Sequence, residues 1–311
     1  MTGTELSSQV QHENEARNVP TIRLQTVLYG NSINELERAL LSMSNSLGQA
    51  MSHISEWCIV FGDSSPEPLL DAKLIARFEK ICIDAAGKFM YQFFGENLGH
   101  GGGHNRLHEG SPEDLLLIVN PDGILAPDTV LRLVEALTDG VGIVDARQLP
   151  LEHPKEYDAG TGETSWSSLA CALTPSKLFS QIGGIDHNTF FMYCDDVDYS
   201  WRLRLEGFSA KYCPQARMFH DKRLDSAGNF IAGETERYYS AEAALLLSYK
   251  YSRDDVLESL KSVMAASSDP YQQKALVAFQ SRQLAGNLPR RLDPEHLIAE
   301  FTDGSYGAHR F

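Results

Sequence analysis

The sequence predicts an α/β protein with a mainly parallel sheet flanked by helices. Over the first 120 residues, segments with the pattern of a strand alternate with segments of helical spacing, an order typical of parallel strands joined by crossover helices. The apolar run 115–119 (LLLIV), bounded by turn residues, is typical of a strand buried on both faces. A chain of 311 residues is long enough for two modest domains or one large one.

Hydrophobic periodicity and turn residues place the individual elements. The predicted strands are 21–29, 57–61, 89–94, 115–119, 141–146, 168–173 and 210–213. The predicted helices include 33–47, 69–85 and 195–206, and the composition becomes helical after about residue 236. We therefore expect a flexible tail over 1–20, a sheet domain over 21–230 and a helical region over 231–311, with a boundary near 225–236.

Composition and charge exclude several classes of protein. The chain has 27 basic and 42 acidic side chains, a net charge of −15, which disfavours broad binding to nucleic-acid phosphates and electrostatic docking on anionic lipid. Its five cysteines form no C-x-x-C pair, which argues against a disulfide framework or zinc ribbon and favours reduced thiols in the cytosol. No apolar run approaches the ~20 residues that span a bilayer, and the polar N-terminus lacks the features of a secretory signal. We predict a cytoplasmic protein, with the inner face of the membrane as a peripheral alternative.

Three polar turns follow predicted strands, at 63–65 (DSS), 97–99 (NLG) and 120–122 (NPD). Ligands of open α/β sheets bind beyond the carboxyl ends of the strands. A carboxylate such as Asp122 can hold a hard divalent cation there, together with phosphate oxygens. Asn-Pro-Asp-Gly is also a favourable turn sequence, so this motif alone leaves both interpretations open.

Three acids, Asp195, Asp196 and Asp198, crowd the first turn of a predicted helix. Helix capping and the helix dipole account for acids at such a position, and Asp198 can pair with Arg202 at i+4. Asp195 and Asp196 lie ~100° apart around the axis. One of them could serve as the carboxylate base for an acceptor hydroxyl.

Histidines supply two further candidates. His220 comes 24 residues after Asp196 (220 − 196) and could complete an oxygen-rich metal site, although a lone histidine is more often structural. The run 99–105 (GHGGGHN) fails the G-x-G-x-x-G template, and its three consecutive glycines disfavour a helix. We therefore expect the glycines either to let backbone approach a ligand or to make a tight turn, and not to form a helical zinc site.

The order of these motifs resembles the family 2 glycosyltransferases, which have the GT-A fold, and within them the rhamnosyltransferase- and galactofuranosyltransferase-like members. The resemblance covers about residues 21–222. Its segments are 27–31, 63–65, 97–105, 120–122, 183–186, 191–198, 201–204 and 214–220. The Asp-Asp-Val-Asp block over 195–198, with the histidine downstream, is the most specific part, and the glycines are the least.

The resemblance implies a nucleotide-sugar site. The residues implied to bind the donor are Asp63, Asn97, Gly99, Asn120 and Asp122. Asp63 would contact the nucleotide base or ribose, and Asp122, at the place of the family's D-x-D motif, would hold Mg²⁺ or Mn²⁺ together with His220. Asn120 stands where many relatives have Asp, which removes one negative charge from the metal site. The family favours dTDP- or UDP-sugars as donors.

The resemblance also implies the reaction. Asp196 would be the general base and Asp195 would help to orient the acceptor, in an inverting transfer of a rhamnose-like or other hexose. The acceptor would be a hydroxyl of a glycan or lipid-linked saccharide in polysaccharide or cell-envelope synthesis. Two alternatives are a sugar-phosphate nucleotidyltransferase, which usually has a basic Gly-rich loop that 27–32 lacks, and a non-catalytic glycan-binding protein. The C-terminal helices offer a surface for homo-oligomer formation.

Overall fold

The computed structural model describes residues 19–152, 155–220, 232–302 and 305–306. The strands are β1 (Ile22–Leu28), β2 (Trp57–Asp63), β3 (Lys88–Phe93), β4 (Leu115–Val119), β5 (Gly123–Leu125), β6 (Val141–Leu149), β7 (Glu163–Thr164), β8 (Cys171–Pro175) and β9 (Ser209–His220). The helices are α1 (Ile33–Gln49), α2 (Ala72–Asp84), α3 (Gly99–His108), α4 (Thr129–Ala136), α5 (Ser176–Gln181), α6 (Asp195–Leu205), α7 (Glu234–Lys250), α8 (Asp254–Ala266) and α9 (Pro270–Leu284).

The described strands form one nine-stranded sheet in the order β3-β2-β1-β4-β8-β6-β9-β5, with β7 paired to β9. Strands β1, β2, β3, β4, β6 and β9 run in one direction, whereas β5, β7 and β8 run antiparallel to their neighbours. The prediction of a mainly parallel sheet with flanking helices and a helical C-terminal region is confirmed. The completely buried β4, as its apolar run predicts, lies inside the sheet between β1 and β8.

Strand β9 is longer than the predicted 210–213 and continues through Pro214 to His220. Proline cannot donate to a ladder and sits in sheets at edges or bulges. The pairing of β6 with β9 shifts register between Ala146 and Arg147, and this irregularity accommodates Pro214. The extension places His220 at the end of a strand, and the short β5 pairs with it.

Helix α3 corrects the expectation of a turn at the glycine run, because the helix begins at Gly99 and includes all three consecutive glycines. The glycines are needed for close packing. A β-carbon at Gly101 would lie 2.5 Å from Cγ2 of Ile185, and one at Gly103 would lie 2.7 Å from Cγ2 of Val27. Packing against the sheet therefore overrides the low helix propensity of glycine.

The core has separate parts on the two faces of the sheet. Helices α1, α2 and α4 contribute to the larger cluster on one face, and α5 and α6 contribute to a second cluster on the other. A third cluster joins α7, α8 and α9 to Val197 and Trp201 of α6. Among the described helices, none is both long and apolar enough to cross a bilayer.

The predicted domain limits stay predictions. Most of the expected tail, residues 1–18, lies outside the described residues, as does the 221–231 segment that contains much of the proposed boundary.

Candidate active site

Four strands bring the predicted site residues to one edge of the sheet. Asp63 ends β2, Asn120 follows β4 and His220 ends β9, and these strands run in the same direction. His220 also pairs with Gly123 of β5. The register of the sheet therefore places residues 100 positions apart in the chain within contact distance.

Asp122 and His220 meet at this edge. The Oδ1 atom of Asp122 lies 3.2 Å from Nε2 of His220, and Nδ2 of Asn120 lies 3.4 Å from the same nitrogen. Two adjacent ligands of an octahedral ion with bonds of about 2.1 Å are separated by roughly 3 Å, so the pair fits such an ion. Carboxylate and amide oxygens are suitable donors for Mg²⁺ or Mn²⁺, whereas an imidazole nitrogen is a softer ligand that favours a transition metal such as Mn²⁺ over Mg²⁺.

The protein supplies few ligands at this site. Within the described ranges, no group of three or more His, Cys, Asp or Glu side chains could hold a metal. The side chain of Asp122 is 38% exposed. An ion bound by Asp122 and His220 would therefore complete its coordination with other oxygens, such as those of a diphosphate and water.

Gln148, on β6, orients His220 and was missed by sequence reasoning. Its Oε1 lies 2.9 Å from Nδ1 of His220, and its own Nε2 donates to Oγ of Ser168 at 3.1 Å. A hydrogen bond from Nδ1–H to Gln148 leaves the lone pair of Nε2 facing Asp122. The sequence gives little signal, because Gln148 is one of three polar residues, with Asp145 and Arg147, in the second half of β6.

A buried ion pair lies behind Ser168. The backbone N–H of Ser168 donates to Oδ2 of Asp145 at 2.8 Å, and the same oxygen pairs with Lys155. Burial raises the pKa of Asp145 to about 6, although Lys155 opposes the shift. The ammonium group of Lys155 also lies 4.5 Å from the ring centre of Trp166. Through Ser168 and Gln148, hydrogen bonds connect this pair to His220.

Asp63 is fully buried and shapes the loop that follows β2. Its Oδ1 accepts from the backbone of Ser65 at 2.9 Å, and its Oδ2 accepts from the backbone of Leu69 at 2.8 Å and from the Tyr91 hydroxyl at 2.5 Å. Burial, followed by the bond to Asp63, raises the pKa of Tyr91 to about 12. Direct contact of Asp63 with a nucleotide would require one of these bonds to be replaced.

The turn at Asn97 connects the sheet edge to the acidic helix. Oδ1 of Asn97 accepts from the backbone N–H of Gly99 at 3.0 Å. Gly99 has a φ of +66°, and a β-carbon there would lie 3.0 Å from the ring of Phe191. The close approach brings the start of α3 against the segment that precedes α6.

The acids of α6 begin the helix after two strained residues. Tyr193 and Cys194 have φ values of 66° and 56°, a left-handed conformation that is unfavourable for residues other than glycine. Asp195 follows with its side chain only 8% exposed, and its Oδ2 lies 2.8 Å from Nδ1 of His100. Asp196 is half-buried, and its Oδ1 accepts from the backbone of Val197 at 2.9 Å. The two acids therefore point to different partners.

His100 and His104 have opposite electrostatic environments. Burial lowers the pKa of His100, but the charge of Asp195, the hydrogen bond to it and the charge of Asp196 raise the pKa above its usual value. Burial, aided by the charge of His100, lowers the pKa of His104 well below its usual value. The two rings meet edge to face, with centres 4.7 Å apart. A positive charge on this face of α3 is thus concentrated at His100, beside both acids.

The buried Asp198 connects α6 to the C-terminal helices through ion pairs and a hydrogen bond. It pairs with Nε of Arg202 at 2.8 Å, as the i+4 spacing predicts. It also pairs with Nζ of Lys250, at 2.5 Å, and accepts from the Tyr251 hydroxyl at 3.1 Å. Lys250 reaches Asp186 as well, at 2.7 Å. Lys250 and Tyr251, which sequence reasoning missed, tie the C-terminal helices to the helix that carries the acids.

The acids and the metal-ligand pair lie at the same edge of the sheet. The start of α3 follows the carboxyl end of β3, and His100 in its first turn contacts Asp195. Both groups therefore lie at carboxyl ends of strands, the acids beside β3 at one end of the strand order and His220 on β9 toward the other.

Comparisons with known proteins agree with the resemblance found in the motifs, although no family model matches the chain. An N-acetylglucosaminyl-diphospho-decaprenol L-rhamnosyltransferase of Mycobacterium tuberculosis (strain CDC 1551 / Oshkosh) is 26% identical over an alignment that covers 41% of this chain and 57% of the relative. The match thus spans little more than half the length of that relative.

Solved structures share the fold. GalNAc-T7, in a crystal structure with UDP, GalNAc and Mn²⁺, has a TM-score of 0.61 at 13% identity, covering 88% of this chain and 56% of that one. The mannosyltransferase PcManGT from Pyrobaculum calidifontis, in complex with GDP-Man and Mn²⁺, has a TM-score of 0.55 at 14% identity, covering 90% and 79%. The TarS protein of S. aureus has a TM-score of 0.51 at 10% identity, covering 85% and 44%. The predicted GT-A fold and the resemblance to glycosyltransferases are confirmed.

Proposed function

We propose that the protein is an inverting glycosyltransferase that moves a sugar from a nucleotide-diphosphate donor to a hydroxyl acceptor. The observation that carries the proposal is the meeting of Asp122 and His220, which lie 3.2 Å apart at the carboxyl edge of the sheet. Asp195 and Asp196, at the start of a helix above that edge, add the acid–base groups that sugar transfer needs.

The donor side of the reaction follows from the metal-ligand pair. Asp122 and His220 would hold Mg²⁺ or Mn²⁺, which when bound supplies positive charge for the departing diphosphate. Asn120 would turn its amide oxygen toward the ion, and Gln148 would keep His220 in the tautomer that can ligate the ion.

The nucleotide would lie beside the turns that follow β2 and β3. Asp63 shapes the loop after β2, and Asn97 and Gly99 form the neighbouring turn, so these residues would surround the nucleotide.

The acceptor side depends on Asp196. Its carboxylate would take the proton of the acceptor hydroxyl while the hydroxyl oxygen forms a bond to the anomeric carbon. The bond from that carbon to the diphosphate breaks on the opposite face, so the configuration inverts. Asp195 would act through His100, which it holds at 2.8 Å, and would thereby keep the acceptor side of the site in place.

The relative supports a choice of substrates. That relative is an N-acetylglucosaminyl-diphospho-decaprenol L-rhamnosyltransferase, so we propose a rhamnose-like sugar and a lipid-linked saccharide as first substrates to test. The complexes of the structural neighbours contain UDP and GDP-Man, which places UDP- and GDP-sugars beside dTDP-sugars in the donor panel. The cytoplasmic location and the homo-oligomer stay predictions.

The test compares Asp196→Asn with the wild-type chain. Donor binding, measured as a thermal shift with nucleotide sugars and Mn²⁺, should be unchanged, and transfer should fall about 10²–10⁴-fold because the general base is lost. Glu258→Gln, which alters an exposed acid on α8, is the control and should retain full transfer. Near-wild-type transfer by Asp196→Asn would remove the base assignment.

The products separate this proposal from its alternatives. A glycosyltransferase releases a nucleoside diphosphate, whereas a nucleotidyltransferase releases pyrophosphate. A non-catalytic glycan-binding protein would turn over no donor in either assay.

A further inference from the structure

A cavity of about 530 Å³ lies between the start of α6 and the helices α7, α8 and α9. Its volume is in the range of small-molecule sites. The residues that matter here are Tyr193, Cys194, Ala244, Leu247, Leu260 and Met264, which all line it. It lies outside the metal-ligand pair and the donor-binding turns described above.

The inner wall of the cavity is apolar. Leu247 and Met264 belong to the buried cluster of the C-terminal helices, and Leu260 packs against that cluster. Leucine offers no hydrogen bond, and the flexible methionine side chain adapts to irregular apolar ligands. These side chains would stabilise a hydrocarbon and would leave a sugar or phosphate without polar partners.

The outer rim is polar and carries two acids, Glu236 and Asp269, beside one cation. Arg237 lines the rim and pairs with Asp269, at 2.9 Å. Because the guanidinium is already paired with a carboxylate, the rim does not select strongly for a phosphate. Ser240 and Gln272 add neutral polar groups. A ligand with a neutral polar head and an apolar chain matches this arrangement.

Two residues that line the cavity directly precede the proposed base in the sequence. Tyr193 and Cys194 line the cavity and lead directly into Asp195 and Asp196. Both lining residues have positive φ values, and such strained residues are concentrated at active sites and ligand clamps. A chain held in the cavity would therefore leave its polar head beside the acid that we propose as the base.

We propose that the cavity binds the alkyl chain of the acceptor, so that the acceptor class is an alkyl glycoside or a lipid of that kind. The assignment of the ligand as the acceptor rests on the proposed function. Binding of the alkyl chain can be measured without a donor. The polar edge formed by Asp122 and His220 is suited to the donor's diphosphate, which leaves the apolar cavity to the other substrate. Each methylene buried should raise affinity by up to about fourfold.

The first experiment measures binding of n-octyl β-D-glucoside and methyl β-D-glucoside to the full chain by titration calorimetry. Neither donor nor metal is present, and the octyl compound stays below its critical micelle concentration. We expect saturable binding of one octyl glucoside per chain, at least ten times tighter than methyl glucoside. Equal affinities, or no binding of the octyl compound, would overturn the proposal.

Variants locate the binding. Ala244→Trp fills the cavity and should weaken octyl glucoside binding at least tenfold. Val277→Trp adds the same ring to the surface of α9, at a position that is 61% exposed, and should leave the affinity unchanged. An equal loss in both variants, or in neither, contradicts binding in the cavity.

A milder substitution covers the case in which Ala244→Trp does not fold. Ala244→Cys introduces a thiol into the wall. The five native cysteines are buried, but Cys194 lines the same cavity, so wild-type protein measured with and without octyl glucoside gives the background rate of reaction with N-ethylmaleimide. Octyl glucoside should slow modification of the new thiol, and methyl glucoside should not. Absence of protection would overturn the proposal even in a chain that transfers sugar, and protection would support it even in a chain that does not.

Discussion

Two acid–histidine pairs, Asp122 with His220 and Asp195 with His100, are positioned by different physical means. Asp122 follows a strand, and its partner His220 is placed by the pairing of β5 with β9. Asp195 begins a helix and is placed by a side-chain contact with His100. Backbone hydrogen bonds therefore position the first group, whereas individual side chains position the second.

The two groups also differ in their contact with water. The side chain of Asp122 is 38% exposed and that of Asp195 is 8% exposed. An exposed carboxylate can exchange water for a cation and phosphate oxygens, whereas a buried carboxylate is costly unless its partner is present. The comparison suggests that the strand-end site is open for ligands and that the helix site is fixed in advance. The predictions below test this contrast, from the largest expected effect to the smallest.

Removing the carboxylate charge at the strand-end site should have the largest effect. Asp122→Asn should abolish measurable Mn²⁺ binding in calorimetry and reduce sugar transfer roughly 10²–10³-fold, the usual result when one electrostatic group of an active site is removed. Asp128→Asn is the matched control because its carboxylate is 37% exposed and its ion pairs, among the described residues, are with the partly exposed Arg132 and Arg217. Unchanged Mn²⁺ affinity in Asp122→Asn would show that this edge is not the metal site.

Gln148→Met tests whether backbone register alone is enough to position His220. Loss of the hydrogen bond to Nδ1 should weaken Mn²⁺ binding about 10–100-fold, measured by electron paramagnetic resonance of the free ion. Gln215→Met, an exposed position on β9, should bind Mn²⁺ normally. If both variants bind equally well, the sheet positions the histidine without help from the side chain.

Gly103→Ala tests the packing that brings His100 to the acids. The new β-carbon would lie 2.7 Å from Val27, whereas one at Gly48 of α1 would have no atom within 4 Å. Gly103→Ala should lower the free energy of unfolding by about 1–3 kcal/mol through overpacking, and Gly48→Ala should raise it by about 0.5–1 kcal/mol. Urea denaturation measures both, and stabilisation by both substitutions would mean that α3 does not need its close approach.

His100→Gln should have the smallest effect, and its size should depend on pH. The folded protein raises the pKa of His100 above its usual 6.5, so the stabilising contact with Asp195 is fully present below pH 6.5 and is lost as the pH rises through the folded value. The difference in unfolding free energy between wild type and variant should therefore be larger at pH 6 than at pH 9. The exposed His53→Gln serves as control, and a difference that grows with pH would contradict the assignment.

Local pattern and motif order were enough to predict much of this protein. The apolar run 115–119 predicted the buried β4, and strand–helix alternation predicted the mainly parallel sheet. The resemblance implied a metal site at Asp122 and His220; the two side chains lie 3.2 Å apart, and the metal site itself stays a prediction. These features could be predicted because hydrophobic periodicity is local and because polar residues at strand ends meet wherever parallel strands end together.

What the sequence by itself determined was most of the longer strands and helices and the edge at which several polar residues gather. Only the tertiary structure decided that the glycine run forms α3, that His100 pairs with Asp195 and that Lys250 anchors α6. Each of these depends on a contact between residues more than 50 positions apart. Such contacts produce no hydrophobic periodicity from which they could be predicted. A glycine helix is unfavourable alone and becomes favourable only when another segment packs against it.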